Sequence, residues 1–104
     1  MKVYIDRKVK CYIEDFYQNS LMIHPTLDEA TVLKKVNRLY EALNDLKILG
    51  KIYPLARLKR DWQEKGYREF ICEDFHFAYL IGVLDDGTDA IWVKEVCHSL
   101  MYHE

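Results

Sequence analysis

The sequence predicts an α+β domain, with two helices packed on one face of a small, twisted, mainly antiparallel sheet in the order β-α-α-β-β-β. Three features predict it. The apolar period changes from two to about 3.6 near Lys10. A long amphipathic run follows between residues 27 and 48. Three strand-like runs close the chain, the last two joined by Asp85-Asp86-Gly87.

The first residues, MKVYIDR, alternate with Val3 and Ile5 on one side, which is the pattern of a short opening strand. From about Lys10, Tyr12, Ile13, Phe16, Tyr17 and Leu21 mark one face of a helix. That helix should stop before His24-Pro25, because a proline pushes the residue before it out of the helical region. Thr26 and Glu29 have the spacing of a capping box, and Asp28 and Glu29 suit the positive end of a helix dipole. Leu33, Val36, Leu39 or Tyr40, Leu43 and Leu46 then recur at three- and four-residue steps, with Gly50 as the expected C-terminal cap.

A basic connection, KIYPLARLKRDWQEKG, follows, punctuated by Pro54 and Gly66. Strands are expected at 67–73, 75–84 and about 89–98, with Asp86-Gly87 favouring a hairpin. The second of these is apolar on both faces, which fits a central strand covered on two sides. Helices on one side would leave the other face of the sheet free as a concave working surface.

At 104 residues and 12.5 kDa the chain has room for one core, so 1–104 reads as a single domain. Its longest apolar run, Phe77 to Leu84, is too short to cross a bilayer, and no signal-peptide pattern opens the chain. A cytoplasmic protein is the expectation. Cys11, Cys72 and Cys97 are widely spaced and form no zinc-ligand pattern, so they read as buried reduced thiols, and neither metal nor cofactor is expected.

Charge is distributed unevenly. From Lys47 to Arg68 seven cations face two acids, a net +5 inside a chain of net −2. Lys51, Arg57, Lys59 and Arg60 within that block are candidates for neutralising a nucleic-acid backbone; the alternative is a solvated basic loop. Trp62 and Tyr67 could stack on bases or pin the loop to the sheet. In YREFICEDFHFAYLIGVL, Arg68 could grip a phosphate or pair with a nearby acid. His76 lies opposite in register to Phe75 and Phe77. On an open face it is a candidate acid or base; under the helices it is a core histidine satisfied by a carbonyl.

The stretch from about Leu43 to Tyr102 resembles the RelE/ParE superfamily of toxins from bacterial type II toxin-antitoxin systems. The resemblance rests on LNDLKILGK ending the long helix, PLARLK in the basic connection, Arg68-Glu69 opening a strand, DFHFAYLI, and the closing VCHSLMY. Residues before 43 match in element order. The resemblance implies one of two activities. RelE-like members cleave messenger RNA on the ribosome without a metal, the substrate's 2′-hydroxyl attacking the adjacent phosphate. ParE-like members inhibit DNA gyrase and do no chemistry. Both are silenced by a cognate antitoxin protein. It also implies roles: Arg68 for phosphate, His76 and His98 for protons, and Tyr102 for positioning the substrate, with His103 as an added candidate. Three departures stand beside it: a pI near 6.1, Phe75-His76 where relatives often carry Tyr-Arg, and no arginine soon after His98. A non-toxic interaction module on the same fold is the third reading.

Overall fold

The computed structural model of the chain describes residues 2–23, 29–57 and 59–99. Among the described residues four strands and three helices run in the order β1 (Lys2–Ile5), α1 (Arg7–Ile23), α2 (Glu29–Leu49), α3 (Arg60–Glu64), β2 (Arg68–Cys72), β3 (Phe75–Val83) and β4 (Asp89–His98). The strands form one sheet ordered β1-β4-β3-β2. β1 runs parallel to β4, and the other two pairings are antiparallel, so the sheet is mixed. The predicted α+β layering stands, with one added element, α3, inside what the sequence reads as a plain basic connection. No helix is long and apolar enough to cross a membrane among the described residues.

Asp6 ends β1 and caps α1: its carboxylate accepts from the Lys8 N–H at 2.9 Å and its carbonyl accepts from Val9 and Lys10. This cap starts the helix three residues earlier than the apolar period suggests. Thr26 of the expected capping box lies outside the described residues, while the Glu29 carboxylate accepts from the Tyr17 hydroxyl at 2.8 Å and ties α2 to α1. On α2 the buried positions are Val32, Val36, Leu39, Leu43 and Leu46, and Leu33 faces solvent. Gly50 follows, but without a left-handed turn. Its amide continues the helical ladder to the Leu46 carbonyl at 2.8 Å, and a Cβ there would lie 2.5 Å from Ile91 Cδ1. Gly50 is required because the helix end touches β4.

The core lies between α1, α2 and one face of the sheet. It joins Val9 and Ile13 to Leu39, Leu43 and Leu46, over Phe70, Phe75, Phe77, Tyr79, Ile91 and Val93. The opposite face is not left free. The connection folds back over it, and Trp62 of α3, 2% exposed, packs with Ala56 and Tyr67 on Ala78, flanked by Leu80 and Cys97. Trp62 and Tyr67 therefore pin the connection to the sheet. The reason is compositional: β3 carries apolar residues on both faces, so both need cover.

Two turns set the register. Asp85-Asp86-Gly87 closes the β3–β4 hairpin, with Gly87 at φ +86° and the Leu84 amide donating to the Thr88 carbonyl at 2.8 Å. The β2–β3 turn is made by Glu73 and Asp74 at φ 50° and 70°, both left-handed and neither a glycine. Lys35 and Arg38 of α2 hold that turn through ion pairs to Asp74 at 3.7 Å and Glu73 at 3.4 Å. The three cysteines are unpaired; Cys72 and Cys97 are partly buried, whereas Cys11 is exposed on α1, contrary to the expectation of burial.

Candidate functional site

The two-residue turn at 73–74 places Ile71 opposite His76, Glu69 opposite Ala78, and Arg68 opposite Tyr79. Directly opposed residues share a face, and alternate residues along a strand share one too. Glu69, Ile71, His76 and Ala78 therefore point away from α1 and α2. Arg68, Phe70, Phe75 and Tyr79 point toward them. Arg68 and His76, which the sequence sets on one ribbon as joint candidates, lie on opposite faces of the sheet.

His76 is held on both ring nitrogens. Nδ1 lies 2.9 Å from Glu69 Oε2, and Nε2 lies 3.1 Å from Ser99 Oγ, just past the end of β4. The Glu69 and His76 side chains are 14% and 12% exposed, so water screens the pair weakly. The Ser99 hydroxyl donates to the Asp74 carbonyl at 2.9 Å, and the Ser99 amide donates to the same oxygen at 2.7 Å. A chain of contacts thus runs from a carboxylate through an imidazole to an exposed hydroxyl, anchored on the strained β2–β3 turn. Such a chain orients a histidine for proton transfer. Cys97 faces His76 across the β3–β4 pair, but burial pushes its thiol up, with Lys59 opposing weakly, so it is no ready nucleophile.

Beside this chain a groove of about 480 Å³ runs along the outer edge of β2, with Glu69 and Ile71 on one side and Pro54, Leu55 and Arg57 on the other. Its far wall exists because the connection pairs briefly with β2: Ala56 donates to the Tyr67 carbonyl, and the Glu69 amide to the Pro54 carbonyl. Glu69 thus lines the groove and holds His76.

The remaining candidates are distributed as follows. Arg68 donates through Nη1 to the Tyr53 carbonyl at 2.5 Å and reaches the Lys51 carbonyl at 3.4 Å, tying the end of the α2 connection to the sheet on the helix side. His98 packs on that same side, edge-on to Phe75 at 5.1 Å and stacked on Phe16 at 6.4 Å, with its amide donating to the Tyr12 hydroxyl at 3.1 Å. Lys51 pairs with Asp89 at 2.9 Å, and Asp89 is opposite Val83, seven residues along β3 from His76. Arg57 lies on the rim of the groove, Lys59 pairs with Asp61 and sits over Trp62, and Arg60 opens α3 exposed to solvent. Arg57 and Lys59 border the His76 face, the first beside Glu69 in the groove and the second near Cys97. Tyr102 and His103 lie outside the described residues.

Glu69 and Ser99 are the two site residues that sequence reasoning did not single out. Glu69 could have been found, because a turn confined to residues 73 and 74 fixes the 71–76 pairing and so its face. Ser99 could not. Its place depends on an extra residue in β4, where Ala78 pairs with Glu95 but Tyr79 pairs with Val93, leaving Lys94 as a bulge.

Among the described residues no three His, Cys, Asp or Glu side chains converge as a metal site. Compared with protein-family models, curated proteins and solved structures, the chain gives no match.

Proposed function

We propose that this chain is a RelE-like toxin that cleaves messenger RNA on the ribosome, with His76 as the residue that moves the proton. The observation that carries the reading is the Glu69–His76–Ser99 chain on the sheet face away from α1 and α2, beside a groove rimmed by Arg57. In the reaction the 2′-oxygen bonds to the neighbouring phosphorus, the bond from phosphorus to the 5′-oxygen breaks, and a 2′,3′-cyclic phosphate results. One proton leaves the 2′-hydroxyl and one joins the departing oxygen. A histidine positioned by a carboxylate serves such a transfer near neutral pH. Arg57, Lys59 and Arg60 supply positive charge for the RNA backbone. A cognate antitoxin protein is the partner of this reading, and the cytoplasm its compartment.

The separation of Arg68 and His98 from His76 favours a second reading, a ParE-like toxin that inhibits DNA gyrase by binding. Induced expression in a bacterial host, followed by mapping of messenger RNA 5′ ends, tests the first. Growth arrest with cuts inside translated frames, lost in His76→Ala, is the expected result. Arrest without cuts, joined to inhibition of supercoiling by purified gyrase, would replace it with the second.

A further inference from the structure

On the helix side of the molecule a cavity of about 540 Å³ lies between α1, the first turns of α2 and the β2–β3 turn. Ser20, Thr31, Lys34, Lys35 and Arg38 line it, with Phe16 as an apolar wall and Glu73 as the facing carboxylate. Three cations and two hydroxyls line it with one acid, Glu73, and a second, Asp74, reaches Lys35 from the β2–β3 turn, in a chain of net charge −2. We propose that this cavity binds a nucleoside phosphate, whose phosphate displaces Glu73 from Arg38.

The volume is that of a small-ligand site. A guanidinium, two ammonium groups and two hydroxyl donors match the oxygens of a phosphate. The cations' present partners are easily exchanged. Arg38 reaches Glu73 at 3.4 Å and Lys35 reaches Asp74 at 3.7 Å, both long for ion pairs, and the Arg38 side chain is 54% exposed. Pairs of that kind are worth little. Lys35 Nζ lies 5.4 Å from the centroid of the Phe16 ring. Drawing Lys35 onto a phosphate uncovers that ring face, which can then take the base.

The proposal stands apart from the RNA-cleavage reading and is tested by binding alone. The full chain is titrated calorimetrically with adenosine 5′-monophosphate and with adenosine. The nucleotide is expected to bind and the nucleoside at least tenfold more weakly. Arg38→Ala and Lys34→Gln should each weaken the nucleotide about tenfold, whereas Glu73→Gln should tighten it several-fold by removing the competing carboxylate. Unchanged melting temperatures confirm that the variants are folded. His76→Ala, on the opposite face, should bind as the unaltered chain does. A short RNA that competes only when 5′-phosphorylated would assign the ligand to an RNA end; failure of that RNA to compete would assign it to a free nucleotide. Equal affinity for nucleotide and nucleoside, no heat up to millimolar nucleotide, or a Glu73→Gln variant that binds no tighter would overturn the proposal.

Discussion

His76 Nδ1 and Glu69 Oε2 meet at 2.9 Å on the sheet face that α1 and α2 leave uncovered, one on β3 and the other diagonally across on β2. Both side chains are largely shielded from water, so the contact fixes which way the ring points. In the RNA-cleavage reading, His76→Ala should lower the cleavage rate by about 10²- to 10⁴-fold, the range for losing one acid or base. Glu69→Gln keeps the shape and removes the charge, and its loss should be smaller, with the pH–rate profile displaced as well. Rates on a defined ribosome-bound message check this. A Glu69→Gln variant with an unaltered rate and profile would remove Glu69 from the reaction.

Arg68 has a different expected phenotype. Its guanidinium serves the Tyr53 and Lys51 carbonyls on the helix side, and losing a charged donor to a partly buried acceptor costs about 1–3 kcal/mol. Arg68→Met should lower Tm by roughly 5–15 °C in a domain of this size. Activity measured below the transition should survive. Full activity loss with an unchanged Tm would return Arg68 to the chemistry.

The positions of Arg68 and His76 show which part of the site was legible in the sequence. The faces of α1 and α2 follow from period alone, because Ile13, Leu39, Leu43 and Leu46 recur where a helix must bury them. The β3–β4 hairpin follows from its Asp86-Gly87 turn, whereas the β2–β3 turn, Glu73-Asp74, carries no glycine to announce it. The grouping of Arg68 with His76 does not hold, although both carry even numbers. A two-residue turn reverses the parity between β2 and β3, so equal parity means opposite faces. Trp62 and Tyr67 were legible as residues that could pin the connection to the sheet, but the helix that carries Trp62 was hidden, because α3 spans only Arg60–Glu64 and is too short to show a period. The cation cavity was equally hidden, since Lys34, Lys35 and Arg38 read as the polar side of α2 until the β2–β3 turn is laid against them.

The Glu73-Asp74 turn offers a gain in stability. Both residues hold left-handed φ, the conformation that Asn-Gly adopts readily in a two-residue hairpin. Replacing the pair with Asn-Gly should relieve strain by about 1–2 kcal/mol. It forfeits two exposed ion pairs worth less than about 1 kcal/mol together. The Asp74 carbonyl is a backbone group and survives the change, so Ser99 keeps its acceptor. A Tm increase of a few degrees is expected; a decrease would show that Lys35 and Arg38 hold the turn more strongly than its backbone resists.

The thiols should separate by position. Burial pushes the Cys72 and Cys97 thiols up, Glu73 adding to the first while Lys59 opposes it in the second. Cys11 is exposed on α1. Iodoacetamide at pH 8 should therefore modify Cys11 at least about tenfold faster than the other two, as read by peptide mass spectrometry. Equal rates would mean that the sheet opens often enough to expose Cys72 and Cys97.

Tyr79 should limit the stability of the fold at alkaline pH. Its ring is fully buried in the core and its hydroxyl donates to the Gly50 carbonyl at 2.5 Å, joining β3 to the end of α2. Burial pushes its ionisation up to about 12, with the nearby Arg68 opposing. In the unfolded chain a tyrosine ionises near pH 10. Between those values the unfolded state has released a proton that the folded state keeps, so stability falls as pH rises. Tyr79's contribution is complete below about pH 10 and is lost progressively toward pH 12, amounting to about 2–3 kcal/mol for a shift of that size. Tyr79→Phe cannot ionise and should flatten this limb, while losing about 1 kcal/mol at neutral pH with its hydrogen bond. Urea unfolding of both proteins between pH 8 and 11.5 makes the comparison. Parallel curves would mean that another group governs the alkaline transition.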